Sequence, residues 1–454
     1  MSCAPSRPAR TRFTVMADPA LSLARRLADF ACAATPDDAA GAVLRLSMLD
    51  WAAVAHAGRT EPVTRIMRDT FAAEGGAQEA HVLGLPGMRP ARTAALINGA
   101  TSHALDYDDT HFDHIGHPSV AVLPAALAVA ERVGATGRAL QHAALTGAEL
   151  SIRLGTWLGR SHYQAGFHQT ATAGAFGAAT AAGLLLDLSP HQMETALAVC
   201  TTRASGLKAQ FGTMGKPFNA GLAASNGVEA AMLAAHGFVS TSAALDGPAS
   251  FAATHHGAAS EAGFEAMGTA WRFADVKHKF HACCHGLHAT LEALRDVGTA
   301  PGRVARIDVT THPRWMSVCN IPCPGTGLEA KFSYAQVVAL VLSGHDTARL
   351  DTFTDALCHD PQVARFRNRV TVTEDATLSE LQAQVTVTDD AGHVERRMSD
   401  LDQPLPLDTR ERRVRAKAAA LIGQARADRL WHLITQEASA RRIMQALMAD
   451  QMSD

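Results

Sequence analysis

The residues that could most readily do chemistry are histidines: the chain has 22, and 12 of them lie in four clusters, at 103–117, 162–168, 255–256 and 278–288. Histidine titrates near neutral pH, so clusters of it indicate proton transfer, metal binding or anion binding. The densest cluster, from His103 to His117, combines four histidines with four carboxylates. It interrupts two Ala-rich helical segments, at 91–105 and 120–133. The composition therefore predicts a loop held between buried helices, a natural place for a functional site.

This loop allows three interpretations. Residues 109–114 read Asp-x-His-x-Asp-His, close to the His-x-His-x-Asp-His of metallo-β-lactamase-type hydrolases, but the first His is missing and the flanks are helical. Alternatively, the same side chains act as acid, base and orienting groups without a metal. The structural alternative is a capped loop, in which Asp108, Asp109 and Thr110 satisfy backbone N–H groups and Ser119 caps the next helix.

Two further stretches each contribute one ionisable side chain. His168 precedes a buried helical segment, and a helix N-terminus lowers the proton affinity of a histidine, so a neutral base is expected there unless the ring only caps or packs. Lys216 lies in an apolar, Gly-rich turn ahead of a helix predicted from Asn226 to His236. A lysine in such a turn either reaches solvent or pairs with an anion such as a carboxylate. The glycines form neither of the usual nucleotide-binding motifs.

The fourth stretch, 277–288, places Lys279 among histidines and a pair of cysteines. Three of its histidines have the spacing of one helical face: His281, His285 and His288. With Cys283 and Cys284 they suggest a zinc site, but the paired CxxC spacing of structural zinc sites is missing. A cationic lysine beside histidines fits a polyanionic substrate better.

The elements that must position these groups change character along the chain. From about residue 20 to 245 the pattern is helical, with caps at Asp37–Asp38 and at Ser189. After about residue 264, segments rich in β-branched residues predict strands at 304–310, 369–373 and 383–388, with helices between them. The sequence thus predicts a mainly α protein. Its parts are a flexible tail (1–18), a large all-helical domain (19–266 plus 405–454) and a smaller α+β domain (267–404).

Composition excludes several classes of protein. With 47% hydrophobic and 19% charged residues, the 454-residue chain is not intrinsically disordered. A formal net charge of −3 gives no footprint for nucleic acid or an anionic membrane. No uninterrupted apolar run reaches the roughly 18 residues of a membrane span. The eight cysteines have no disulfide-scaffold spacing, so we expect reduced thiols and a cytoplasmic protein.

Taken in order, the four stretches resemble the MmgE/PrpD family, which contains 2-methylcitrate dehydratases, cis-aconitate decarboxylases and iminodisuccinate epimerases. The matching segments are Leu96–Thr110, His117–Ser119, Leu123–Ala125, Gly166–His168, Gly212–Pro217, Lys279 with Cys283–Cys284, and Thr326–Ser333. The resemblance extends over about residues 20–400. It implies that the helical domain is closed by the C-terminal helices, that the α+β domain is a lid, and that the active site lies between them.

By position, the resemblance assigns catalytic roles and substrate-binding roles to separate residues. The catalytic residues it implies are Asp106, His117, His168 and Lys216. The substrate-binding residues are Thr110, Lys279, His285 and Lys331. The chain departs from the family at two points: many relatives have Arg where this chain has His285, and the tyrosine that precedes Asn-x-Pro in the decarboxylase branch is replaced by Val318, which disfavours decarboxylation.

The implied activity is that of a cofactor-independent lyase of dehydratase type, acting on a small di- or tricarboxylic acid such as 2-methylcitrate. A neutral histidine removes a proton next to a carboxylate, a second acid protonates the leaving hydroxyl, and lysines stabilise the enediolate-like anion. The alternatives are an epimerase or isomerase of iminodisuccinate type, a cis-aconitate-type decarboxylase, a metallohydrolase, or a helical binding protein without activity. The resemblance implies a homodimer and neither a metal nor an organic cofactor.

Overall fold

The computed structural model describes residues 21–449. The predicted N-terminal tail lies outside them. The helices of the N-terminal part are α1 (Leu23–Ala33), α2 (Asp38–Gly58), α3 (Pro62–Ala72), α4 (Ala91–His103), α5 (Ser119–Val133), α6 (Gly137–Gln164), α7 (Gln169–Leu185), α8 (Pro190–Cys200), α9 (Gly215–Ala235) and α10 (Phe251–Thr254). A two-stranded antiparallel ribbon, β1 (Ala80–His81) with β2 (Met88–Arg89), adds a small β element to the part predicted as all-helical.

The remaining elements form a mixed α/β part and a final helical segment. They are α11 (His288–Arg295), β3 (Val304–Thr311), α12 (Pro313–Met316), α13 (Gly327–Ala330), α14 (Tyr334–Leu342), α15 (Asp355–Cys358), α16 (Pro361–Arg367), β4 (Val370–Glu374), β5 (Gln382–Asp389), β6 (Val394–Asp400), α17 (Leu407–Ile422), α18 (Gln424–Thr435) and α19 (Ala440–Met448). Residues 21–449 are therefore mainly helical, as predicted, with a four-stranded sheet in addition to the β1–β2 ribbon.

The sheet has the strand order β4-β3-β5-β6. Strand β3 pairs in parallel with β4 and antiparallel with β5, and Val309 lies opposite Val372 on one side and Val385 on the other. Every second residue of β5 is buried, so one face of the sheet packs against helices such as α11 and α14. The predicted strands agree with β3, β4 and β5 to within one residue at each end.

Helix α7 lies at the centre of the N-terminal part, packed between α5, α6 and α9. Its residues from Gln169 to Gly183 are all buried, which explains why it is apolar all round. The predicted caps of α2 and α8 are present: the Asp37 carboxylate accepts from the backbone N–H of Ala40, and Ser189 forms a capping box with Gln192.

One predicted boundary is wrong. The helix expected from Asn226 begins at Gly215, so that Lys216 lies in the first turn of α9 and not in a Gly-rich turn. The glycines within α9 serve close packing: a Cβ on Gly221 would lie 2.3 Å from the carbonyl oxygen of Leu96 in α4, whereas Gly212, ahead of the helix, has a positive φ of +79°.

The C-terminal helices return to the N-terminal part. Helices α17 and α18 pack on α2, and α19 packs on α5. The predicted division of the chain into domains stays a prediction. Within residues 21–449, no helix is both long and apolar enough to cross a membrane.

Candidate active site

The His-rich loop predicted between two helices joins α4 to α5 and spans residues 104–118. A short antiparallel bridge ties it to the segment that carries Lys279: the Thr110 N–H donates to the Lys277 carbonyl at 2.9 Å, and the Lys277 N–H donates back at 2.7 Å. This bridge brings Thr110 and Lys279, which are far apart in sequence, to the same place.

Asp106 is the centre of charge in this loop. Its carboxylate lies 2.7 Å from the Lys216 Nζ and 3.3 Å from the Lys279 Nζ, and Lys279 also donates to the Asp106 carbonyl at 2.6 Å. The Asp106 side chain keeps 46% of its surface accessible although charged groups surround it, so it faces an opening. Burial opposes ionisation, but the two lysines and His117 outweigh it and hold the pKa of Asp106 well below its usual range.

The Asp108 carboxylate contacts two imidazoles. Its Oδ1 accepts from His103 Nδ1 at 2.9 Å, and its Oδ2 lies 2.7 Å from His117 Nδ1. The second contact lies off the hydrogen-bond direction, since neither atom has a well-aligned partner. A carboxylate this close still favours the proton on Nδ1 of each ring, which leaves the lone pair on Nε2.

The two predicted catalytic histidines lie in this group. His117 Nε2 lies 3.5 Å from Asp106 Oδ1, and the His103 ring lies 4.6 Å from the His117 ring and 6.0 Å from the His168 ring, between centroids. Burial lowers the pKa of His117 to about 4, although the Asp108 carboxylate acts in the opposite direction. The ring is therefore neutral at pH 7 and can accept a proton.

His168 has the opposite tautomer to His117. It is the residue directly before α7, as predicted, and burial together with the His103 and Lys216 charges places its pKa well below the ordinary value. The Asn219 side-chain nitrogen lies 3.4 Å from His168 Nδ1 and donates to the Leu207 carbonyl at 3.3 Å. An amide N–H can only donate, so His168 accepts at Nδ1 and carries its own proton on Nε2.

The predicted substrate-binding residues divide into two groups. Thr110 Oγ1 lies 3.5 Å from His285 Nδ1, and burial and the Lys279 charge lower the pKa of His285 to about 3. Lys279 binds Asp106 as described. Lys331 lies farther out, with its Nζ 5.7 Å from the Phe353 ring, and no direct contact joins it to the others among the described residues. The structure therefore brings seven of the eight predicted residues together and leaves Lys331 at the edge.

The predicted helix over His281, His285 and His288 is absent, because residues 281–284 are irregular and α11 begins only at His288. The three rings still contact one another, with the His288 centroid 5.1 Å from that of His281 and 4.9 Å from that of His285. They pack as a row inside the C-terminal part and do not share a ligand set with the cysteines.

The predicted metal-binding segment 109–114 does not converge. Asp109 Oδ2 accepts from the Ser119 hydroxyl at 2.5 Å, His111 Nε2 binds the Arg272 carbonyl, and the His114 ring packs on Gly155. Ser119 is thus the first residue of α5 and is itself held by Asp109, the reverse of the predicted cap.

A different group of described residues has the spacing of a cation site. The ligand atoms of His103, Asp106, Asp108 and His117 all lie within 4.8 Å of one another. Two ammonium groups already contact Asp106 and would repel a divalent cation, so a metal fits this group only if the lysines move.

Sequence reasoning missed three members of the site: His103, Asp108 and Asn219. His103 and Asp108 both lie in the dense cluster that the sequence showed. Helix α4 ends at His103, and the chain then turns so that the Asp108 carboxylate contacts the His103 ring. Asn219 gave no signal, because its role depends on α9 starting at Gly215, which the glycines concealed.

Two family models and several curated proteins match this chain. Residues 23–271 match the MmgE/PrpD N-terminal domain, and residues 281–436 match the MmgE/PrpD C-terminal domain. A cis-aconitate decarboxylase of Aspergillus terreus is 28% identical over 307 residues, covering 61% of this chain and 62% of that protein. The cis-aconitate decarboxylase of Homo sapiens is 36% identical over 178 residues, covering 38% of this chain and 37% of that protein.

The matched region is thus less than two thirds of the length of these curated relatives. The two domain matches, in contrast, run through most of the chain in the order expected for the family. The chain belongs to the MmgE/PrpD family.

Proposed function

We propose that this protein is a lyase that acts on a small di- or tricarboxylic acid by moving a proton next to a carboxylate. One observation carries the proposal: two imidazoles with opposite tautomers flank a carboxylate held by two lysines. His117 offers a lone pair at Nε2, while His168 offers an N–H at Nε2. A base and a hydrogen-bond donor on one substrate are what β-elimination needs.

The lysines supply the substrate's counter-charge. Lys216 and Lys279 together carry one positive charge more than Asp106 neutralises, and Lys331 adds another at the edge of the site. Charge-assisted bonds from these ammonium groups hold carboxylates and stabilise the enediolate-like anion that forms when the C–H proton leaves. Thr110 and His285 orient the remaining carboxylate or hydroxyl.

The proposed cycle begins with neutral His117 removing the proton, after which Asp108 stabilises the imidazolium. His168 donates a hydrogen bond from Nε2 to the departing hydroxide while the alkene forms. The His117 imidazolium then gives the abstracted proton to this hydroxide, so that water leaves and both rings are neutral again.

Dehydration of a 2-methylcitrate-like acid is the leading reaction because Val318, 42% exposed, supplies no hydroxyl where the decarboxylase branch has tyrosine. Decarboxylation of cis-aconitate is the second candidate, and the names of the matching relatives favour it. A metal-dependent reaction is a third, supported by the spacing of His103, Asp106, Asp108 and His117.

The test is incubation of the purified protein with 2-methylcitrate, citrate, cis-aconitate, iminodisuccinate and tartrate, followed by proton NMR. Loss of water supports dehydration; it is read as a new vinyl signal from citrate and as collapse of the methyl doublet to a singlet from 2-methylcitrate. Loss of CO₂ from cis-aconitate supports decarboxylation and corrects the leading choice. Inversion without loss supports the epimerase. If no acid changes except after added Zn²⁺ or Mn²⁺, with EDTA reversing the effect, the metal-free lyase is wrong.

A further inference from the structure

A buried ion pair contacts the His-rich loop of residues 104–118, here called the catalytic loop, and the proposed reaction does not use this pair. Asp50 of α2 and Lys417 of α17 approach to 2.6 Å, and each side chain is about 1% exposed. Removing two charges from water costs several kcal/mol per ion, so a pair this deep is weak evidence for stability on its own. What it holds in place is more informative.

Lys417 fixes the middle of the catalytic loop. Its Nζ donates to the Tyr107 carbonyl at 2.6 Å and lies 3.9 Å from the centroid of the Tyr107 ring. The Tyr107 hydroxyl donates to the Ala348 carbonyl at 3.1 Å, in the C-terminal part of the chain. Three distant segments, α2, α17 and the turn at 348, therefore converge on one buried tyrosine.

Tyr107 separates the two carboxylates that organise the site. Asp106, on one side, has φ +50°, a left-handed conformation that is strained for a non-glycine residue and persists only when its surroundings enforce it. Asp108, on the other side, faces the imidazoles. A fixed Tyr107 carbonyl sets the peptide plane between 107 and 108, and so the direction in which Asp108 leaves the backbone, while the held ring fixes the residue that follows Asp106.

We propose that Asp50 and Lys417 are a positioning pair for the reaction: they hold Tyr107 so that Asp106 meets the lysines while Asp108 meets the imidazoles. The pair touches no reacting atom. This inference rests on the proposed function, since it assigns the pair to the same site.

The chain offers a matched control. Arg153 and Glu149 of α6 form an equally buried pair, with 2.7 Å between Nε and Oε1. Arg153 donates to the carbonyls of Gly263, Glu265 and Ala270, in a segment that supplies none of the eight candidate residues. Breaking this pair reports the cost of an unpaired buried charge without disturbing Tyr107.

The experiment compares Lys417→Met, the double variant Asp50→Asn/Lys417→Met, and Arg153→Met. Thermal unfolding, kcat and KM on the acid that the wild type converts are measured for each. We expect kcat to fall about 10²-fold in Lys417→Met, the scale of a misplaced catalytic group. We expect the double variant to recover thermal stability, because no buried charge is left unpaired, but not to recover kcat. We expect Arg153→Met to lose thermal stability while its kcat stays near that of the wild type.

A double variant that recovers both stability and kcat overturns the proposal and leaves the pair a structural feature. The tautomer of His117, read from ¹⁵N chemical shifts of histidine-labelled protein, tests positioning even if the wild type converts none of the acids. We expect the Nδ1-protonated form to lose population in Lys417→Met but not in Arg153→Met. An unchanged tautomer in both contradicts the inference, whereas failure of turnover alone contradicts only the proposed function.

Discussion

Two buried carboxylates in the helical part each contact an imidazole, and only one of them belongs to the candidate site. Glu131 of α5 places Oε1 2.5 Å from His81 Nδ1, and its Oε2 accepts the backbone N–H of His81 at 2.8 Å. Both oxygens thus close one local contact between α5 and β1. Asp108 divides its oxygens between two rings, His103 and His117, beside a carboxylate that binds two lysines.

The difference shows that a carboxylate–histidine contact is not by itself a sign of catalysis. In the Glu131–His81 pair, the His81 ring contacts no further charged group among the described residues. In the Asp108–His117 pair, Nε2 of His117 lies 3.5 Å from the partly exposed carboxylate of Asp106, which also binds Lys216. What distinguishes a catalytic carboxylate–histidine pair from a structural one is the surroundings of the ring nitrogen that does not face the carboxylate. Matching substitutions in the two pairs test this distinction.

The largest effect is expected at the base itself. We predict that His117→Gln lowers kcat about 10³-fold, because the amide cannot accept the substrate proton. His81→Gln is the matched change at the other pair and leaves kcat close to wild type. Steady-state kinetics of the two variants measure the contrast. Equal losses in both would show that the distinction between the pairs is wrong.

A smaller effect is expected at the carboxylates. Asp108→Asn no longer favours a proton on Nδ1 of His117, so we predict a fall in kcat of about 10²-fold with a well-folded protein. Glu131→Gln lowers the unfolding temperature but not kcat, since it only closes a contact between α5 and β1. Circular dichroism melts alongside kinetics separate the two. The comparison fails if Glu131→Gln is the variant that loses turnover.

Binding should respond to the lysine beside Asp106. Loss of one charge-assisted bond costs about 1.5–3 kcal/mol, so Lys216→Met raises KM by roughly 10- to 100-fold. Lys208→Met is the control, because among the described residues the Lys208 ammonium contacts the carbonyl and ring of Tyr163, at the end of α6, and not Asp106. Isothermal titration with the unreactive product or substrate analogue checks the affinity directly. An affinity equal to wild type in Lys216→Met removes the assigned role.

The smallest effect near neutral pH is expected for the pH dependence of kcat/KM, but its direction is well defined. Because burial lowers the pKa of His117 from 6.5 to about 4, the base stays neutral down to mildly acidic pH. We predict that kcat/KM is flat through pH 6.5 and falls only as pH approaches about 4. The unfolded chain binds this proton at higher pH than the folded one, so stability also falls as pH decreases from 6.5 towards 4. A kinetic limb near 6.5 would contradict the assignment.

Much of this arrangement follows from the sequence, for identifiable reasons. Local sequence determines the pattern of helices and strands, the loop between α4 and α5, and the helix caps at Asp37 and Ser189. It does not determine the start of α9, because Gly221 and Gly227 lie where helices touch, and glycine at a close contact resembles glycine in a turn.

The roles within the loop were harder to predict than its existence. Asp108 and Asp109 are neighbours of the same type, yet one binds imidazoles and the other holds Ser119. Asp108 follows Asp106, which has a left-handed backbone, and Tyr107, which is contacted by Lys417 from 310 residues away. No local signal carries that information.

The most direct test of the central claim is deuterium exchange at the substrate carbon. Wild type, His117→Gln and His81→Gln are incubated in D₂O with each polycarboxylate, and the C–H signal beside the carboxylate is followed by proton NMR. The account predicts exchange or elimination with wild type and His81→Gln, and none with His117→Gln. Exchange that persists in His117→Gln, or is lost in His81→Gln, would contradict the claim that the ring beside Asp108 is the base.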